Sequence, residues 1–327
     1  MTESRSKRIA LGALVAVAAG VASALLFMLA SRGSFMMLAL ACLAPLPVMI
    51  ASLSYGLTIG ASAALIGAAF VAIVFQHPLV GTAYLLSTGA PAALIAAAAV
   101  LASPRSERRA RDLAPTFAVL TAALTSGLSI AGALVFMSWG HGGFAALLAK
   151  AVAAFTPVLK QILDETHASS PIDIKELARY LAESAPAEAA VVNFLTMIVC
   201  LWLAGRIARI SGNLPRPWPS LPDDLALPGM IGALFAASCG LVFLGGLPGV
   251  ISSIFAAVLT GVFALQGLAL AHVLTRGSTL RFALLFSLYA LIALLPPWPL
   301  LFLAIAGLAD AALHLRTRKS ASTPKNA

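Results

Sequence analysis

From Ile9 to Ala30 the chain runs for 22 residues without a charged side chain, and stretches of this kind recur along its length. A helix of about 20 apolar residues crosses a hydrocarbon core of roughly 30 Å. By this rule the sequence divides into about ten segments, with a range of eight to ten. They are Ile9–Ala30, Phe35–Leu53, Gly56–Phe75, Thr82–Ala102, Thr116–Trp139, Glu188–Ala208, Pro228–Leu247, Ser252–Thr275, Phe282–Leu295 and Trp298–Leu315. The last two read either as two crossings or as one re-entrant pair, because Pro296, Pro297 and Pro299 break the run. Composition supports the membrane reading, with 61% of residues hydrophobic and 10% charged. Soluble globular chains carry about 45–50% apolar and about 25% charged residues. A soluble enzyme, a nucleic-acid-binding module and a disordered chain are excluded. The expected fold is all-α, a polytopic transmembrane helical bundle.

The net charge of +9 would point to nucleic acid in a soluble protein. Here its distribution reports topology, since basic residues of membrane proteins collect in cytoplasmic loops. With the N-terminus inside, 16 of the 21 basic residues fall on the cytoplasmic side: Arg5, Lys7 and Arg8; Arg105, Arg108, Arg109 and Arg111; Arg206, Arg209 and Arg216; Arg276 and Arg281; Arg316, Arg318, Lys319 and Lys325. Arg32, Lys150, Lys160, Lys175 and Arg179 remain outside. Both termini are therefore expected in the cytoplasm. The first apolar run exceeds the 7–15-residue core of a typical signal peptide and reads as an uncleaved span.

Four regions follow: an N-terminal membrane half (1–139), an outer insertion (140–187), a C-terminal membrane half (188–315) and a disordered basic cytoplasmic tail (316–327). In the insertion, Phe144, Leu147, Leu148, Val152, Phe155, Leu159, Ile162 and Leu163 recur at helical spacing among Lys150, Lys160, Gln161 and Asp164. This is the pattern of an amphipathic helix at the interface, bent near Pro157. A second short helix is expected to start at Ser170-Pro171, with Ile174, Leu177, Ala178 and Leu181 as its apolar stripe. The pair forms either a packed cap over the spans or a lid over a cavity. On the inner side, Pro215, Pro217, Pro219 and Pro222 surround Trp218 in a stiff connector. Trp218 suits a headgroup anchor, with partner docking as the alternative.

Catalytic motifs are missing from the sequence: it has no HExxH, no phosphate-binding glycine loop with its lysine and no GxSxG. His77, His141, His167, His272 and His314 are scattered, and Cys42, Cys200 and Cys239 sit singly in apolar runs. No enzyme activity, metal or cofactor is expected. Polar residues at membrane depth carry the remaining signal, because lipid offers them no hydrogen bonds. Gln266, Asp310, Asn193 and His272 are the candidate solute-binding residues. Packing between helices is the competing role for Gln266 and Asn193, and pairing with His314 or Arg316 for Asp310. His272 lies off the face of Gln266. Gly12, Ala16, Gly20 and Ala24 form a stripe at i+4 steps that suits helix docking. Pro45-Leu46-Pro47 and Gly89-Ala90-Pro91 mark kinks within spans.

Several of these features resemble one family. They are the run Gln266-Gly267-Leu268-Ala269 with His272, the short basic turn after it, the proline-broken penultimate span and the closing Gly307, Asp310 and Arg316. The outer amphipathic insertion and the inner Arg216-Pro217-Trp218-Pro219 are similar too. The chain resembles DUF2232, the YybS-like family of uncharacterised bacterial membrane proteins. That resemblance implies a distant likeness to the substrate-binding S components of energy-coupling-factor vitamin transporters. The Gly12–Ala24 stripe is similar to the one some S components dock against a membrane partner subunit. The departures are the larger number of spans and the outer insertion. The implied function is a small-molecule transporter component in the bacterial inner membrane. Its partners would be the lipid bilayer, a vitamin-like solute and a membrane subunit, with no nucleic acid. The alternative is a non-catalytic membrane scaffold or assembly factor.

Overall fold

The structure is a computed structural model that describes residues 2–101, 113–166, 173–214, 221–295, 297–313, 315 and 316. Among the described residues all regular structure is helical, with no strand. Eight helical segments are long and apolar enough to cross a membrane. Three shorter apolar ones, Gly229–Leu244, Arg281–Leu294 and Trp298–Leu313, add to them. Ten of these eleven correspond to the ten segments read from the sequence. The eleventh, Phe144–Glu165, is the expected amphipathic helix, which passes on length and composition alone.

In chain order the helices of the N-terminal half are α1 (Thr2–Met28), α2 (Phe35–Ala41), α3 (Pro45–Tyr55), α4 (Leu57–Val74), α5 (Pro78–Tyr84), α6 (Ala90–Leu101) and α7 (Ala114–Gly140). Two of its spans are irregular where the sequence places proline. The segment 35–55 breaks at residues 42–44, just before Pro45. The segment from Pro78 widens into a π turn at Leu85–Gly89, ahead of Pro91. Proline supplies no N–H and crowds the preceding turn, so carbonyl groups come free at both places. Neighbouring helices satisfy them. Ser23 Oγ donates to the Ala44 carbonyl at 2.5 Å and accepts from Tyr84 Oη at 2.7 Å. Cys200 Sγ donates to the Cys42 carbonyl at 3.3 Å, and Ser129 Oγ to the Leu86 carbonyl at 2.8 Å.

The later helices are α8 (Phe144–Thr166), α9 (Ile174–Ile210), α10 (Leu221–Asp224), α11 (Gly229–Leu241), α12 (Gly246–Leu274), α13 (Arg281–Leu294) and α14 (Trp298–Leu313). The outer insertion departs from expectation in two ways. Its second helix is not separate: α9 runs unbroken for 37 residues through Pro186 into the sixth span, across the expected boundary at 187. Alanine and glutamate dominate that stretch, and their helix propensity carries it past the proline. The cap is Asp173, whose carboxylate accepts from the Lys175 backbone N–H at 3.0 Å. Ser170 and Pro171 lie outside the described residues. Helix α8 carries Pro157 within one helix, as expected of a single amphipathic segment. It packs along α9 with Leu147, Leu148, Val152, Leu159 and Leu163 half-buried, while Phe155 and Ile162 stay exposed. At about 1.5 Å per residue α9 is roughly 55 Å long, well beyond a core of about 30 Å. Its charged N-terminal turns, with Lys175, Glu176, Arg179 and Glu183, therefore stand clear of the bilayer beside α8.

Lipid removes most of the hydrophobic gain from helix association, so close packing of small residues has to supply it. The core is accordingly alanine-rich, with Phe194, Phe263, Met49 and Met197 as its large members. The closest approaches use glycine pairs. A Cβ on Gly267 would run into the Leu303 carbonyl oxygen, and one on Gly307 into the Phe263 carbonyl, so α12 and α14 touch backbone to backbone. Gly20 and Gly67 do the same for α1 and α4. We expect Gly267→Ala to lower the melting temperature in detergent sharply, costing more than the ~1 kcal/mol that Gly-to-Ala gains in an unhindered helix. Gly132→Ala, which meets nothing within 4 Å, should leave the melt unchanged or raise it.

Candidate functional site

The sequence-selected residues do not gather in one place. Gln266 and Asp310 meet where α12 and α14 cross, toward the C-terminal ends of both helices. Gln266 Nε2 donates to Asp310 Oδ2 at 3.0 Å. Arg316 Nε donates to the same oxygen at 2.7 Å, and the Arg316 backbone N–H to Oδ1 at 3.1 Å. Asp310 is 3% exposed and Gln266 2%. Of the two expected partners for Asp310, Arg316 is therefore the one seen, while His314 lies outside the described residues.

The same cluster reaches a third piece of chain. Residues 221–227, expected as part of a stiff extended connector, begin with the short helix α10 and form a strap across the ends of α7, α12 and α14 that meet there. Gln266 Oε1 accepts from the Leu227 backbone N–H at 3.3 Å. Arg316 Nη1 donates to the Pro222 carbonyl at 3.0 Å and Nη2 to the Leu225 carbonyl at 2.5 Å. Thr116 Oγ1 accepts from the Ala226 N–H at 3.1 Å and lies 3.2 Å from the Ala226 carbonyl. At the rim, Arg276 pairs with both carboxylate oxygens of Asp223, at 2.6 and 2.9 Å. The Asp223 carboxylate holds the Arg276 guanidinium above its ordinary pKa. Trp218 and the prolines around it, up to residue 220, lie outside the described residues.

Among the described residues no buried side-chain nitrogen or oxygen lacks a hydrogen-bond partner. Gln266 and Asp310 thus point into packed protein and one another. Chemically the cluster is a neutralised, fully bonded latch: a carboxylate, a guanidinium and an amide joining two helices to a strap. Its polar atoms are spent on that task.

The other candidates sit elsewhere. Asn193, on α9, donates to Ser126 Oγ of α7 at 3.2 Å and serves helix packing. His272 donates from Nδ1 to the Leu268 carbonyl at 2.9 Å, with Tyr289 Oη 3.5 Å from its other nitrogen. It lies off the face of Gln266, as its helical phase implied, and packs beside Tyr289 of α13. The stripe Gly12, Ala16, Gly20 and Ala24 docks a helix, and that helix is α4 of the same chain. Gly12 faces Ile59, Gly20 faces Ala63 and Gly67, and Ala24 packs with Ala68 and Val71. The face a partner subunit would need is occupied from within. No group of three or more His, Cys, Asp or Glu among the described residues is placed to hold a metal ion.

One feature escaped the reading of polar residues. The break at 42–44 borders a groove of about 270 Å³ against α9, lined by Cys42, Leu43, Val192, Leu195, Thr196, Val199 and Cys200. Pro45-Leu46-Pro47 was its signal in the sequence. A smaller apolar recess of about 30 Å³ lies among Ala99, Ala118, Ile198, Trp202 and their neighbours.

The fold and its bonded interior define a polytopic helical membrane protein. Residues 21–311 match the DUF2232 family, described as predicted membrane proteins, and the chain belongs to that family. No curated protein and no solved structure matches the chain.

Breaking a buried ion pair by removing one member costs about 3–5 kcal/mol. Asp310→Asn and Arg316→Gln should each lower thermal stability by an amount of that order. The double variant should lose less than the sum, and a double-mutant cycle on melting in detergent reads the difference.

Proposed function

We propose that this protein is a non-catalytic, solute-handling component of a bacterial inner-membrane transport system, and that the solute binds at the break in the second span. The observation that carries this reading is the interruption at 42–44, deep in an apolar segment and open to a groove of about 270 Å³. Interrupted helices near the middle of the bilayer are where transporters place their substrates. Pockets for small molecules begin near 300 Å³ and are mostly apolar with a few polar groups. Here the Thr196 hydroxyl is the polar group at hand in a largely apolar wall, the Cys200 thiol being held by the Cys42 carbonyl, and this suits a small, weakly polar, vitamin-like solute. The chain carries no ATP-binding loop, so energy for uptake would come from a separate partner or an ion gradient. The Gln266–Asp310 cluster has no part in binding on this reading.

A scaffold role is favoured by a different observation. Helix α8 and the outer turns of α9 project beyond the bilayer and expose Tyr180, Phe155 and Ile162 to any extracytoplasmic partner. A photo-crosslinker at Tyr180 that captured one stoichiometric partner, with no solute found, would move the assignment to scaffold.

For the transport reading, a ligand present at 100 times its Kd stabilises the folded protein by about 2.7 kcal/mol. Purified protein screened against vitamin-like solutes should therefore show a clear rise in melting temperature with at least one of them. Thr196→Trp, which fills the groove, should abolish that rise without changing the unliganded melt. A rise that survives Thr196→Trp would place the solute elsewhere, and a screen without any rise would count against solute binding.

A further inference from the structure

Between Glu188 and Arg206 helix α9 carries no charge. The rise from one to the other is about 27 Å at 1.5 Å per residue, close to the roughly 30 Å of a hydrocarbon core. The two residues mark the membrane boundaries on this helix, and Arg206 stands at the depth of lipid phosphates. Ile198, Trp202, Arg206 and Arg209 follow at i, i+4, i+8 and i+11, so they share one face of α9.

Three observations on that face belong together. First, Ile198 and Trp202 border the recess of about 30 Å³, which Ala99 of α6, Pro115 and Ala118 of α7 and Leu221 of α10 also line. Every side chain in its wall is apolar. A water needs two to four polar partners and finds no side chain there to supply one, whereas a hydrocarbon chain needs none. Second, Arg206 and Arg209 are both exposed, and among the described residues neither forms an ion pair with an acid. Asp223, two residues past Leu221, is already paired with Arg276. Third, the Arg206 guanidinium carbon lies 6.0 Å from the centre of the Trp202 ring, itself half exposed. This contact holds the cation beside the recess without an acceptor atom, so its N–H groups remain for a phosphate. Along the face the order is apolar recess, indole, guanidinium, guanidinium. A phospholipid has the same order, from chain through interface to phosphate.

We propose that this face of α9 binds an anionic phospholipid, with an acyl chain lying against the recess and the phosphate on Arg206 and Arg209. A zwitterionic headgroup would bring its own ammonium group toward two arginines; an anionic one brings no opposing charge, and basic sites between helices favour it. The site shares no lining residue with the groove at residues 42–44, so it stands or falls apart from solute binding.

Tryptophan fluorescence tests this in the full chain. With Trp139→Phe, Trp218→Phe and Trp298→Phe, Trp202 is the remaining tryptophan. In vesicles it should be quenched by brominated phosphatidylglycerol at lower mole fraction than by brominated phosphatidylcholine. The apparent affinities should differ by about fivefold or more, roughly what one arginine near the headgroups contributes. Arg206→Gln with Arg209→Gln should make the two lipids equal; both side chains are exposed, so the fold should tolerate the pair. Equal quenching by the two lipids in the parent chain, or a preference that survives the glutamine pair, overturns the proposal. Absence of quenching by either lipid would mean that protein covers the face, and overturns it too. Ala99→Leu, which fills the recess, should weaken quenching by phosphatidylglycerol; quenching that it leaves unchanged would remove the acyl chain from the recess.

Discussion

A carboxylate that is 3% exposed at the end of an apolar helix must take its hydrogen bonds from protein, because lipid has none to give. Asp310 takes them from Gln266 and Arg316, and the C-terminal half is arranged around that requirement. Glycine at 267 and 307 lets the two helices approach until the amide and the carboxylate meet. Arginine neutralises the carboxylate, and its remaining donors need acceptors in turn. The carbonyls of Pro222 and Leu225 provide them, which draws the strap 221–227 onto the bundle. One buried charge thus propagates into the placement of a segment some 90 residues away in sequence.

The same logic operates in the N-terminal half without charge. Proline interrupts two spans, and hydroxyl and thiol groups from other helices repair the interruptions. The difference is the kind of surface left behind. Around Asp310 every buried polar side chain among the described residues is hydrogen-bonded. Around residues 42–44 the repair leaves a groove beside it. That contrast moves the solute reading away from Gln266 and Asp310 and toward the helix break.

Much of this was legible in the sequence, because hydropathy and charge report directly on a bilayer. The spans and the amphipathic character of 144–166 could be read from spacing, and Arg316 stood as one of two candidate partners of Asp310, with His314. The helical phase of His272 already set it apart from Gln266. The strap was illegible: it has no periodicity, and it is held by backbone carbonyls that no side chain announces. The continuity of α9 was hidden by Pro186, whose cost the alanine-rich surroundings absorb. The partner of the Gly12–Ala24 stripe was hidden as well, since small residues specify close approach without naming the helix that approaches.

The central claim is that Gln266, Asp310 and Arg316 fasten the strap to the ends of α12 and α14. Hydrogen–deuterium exchange of the amides of Ala226 and Leu227 reads this directly. In the native protein both should be strongly protected. In Gln266→Leu the Leu227 amide should exchange much faster, while the helices of the N-terminal half keep their protection. Unprotected strap amides in the native protein, or protection unchanged by Gln266→Leu, would contradict the account.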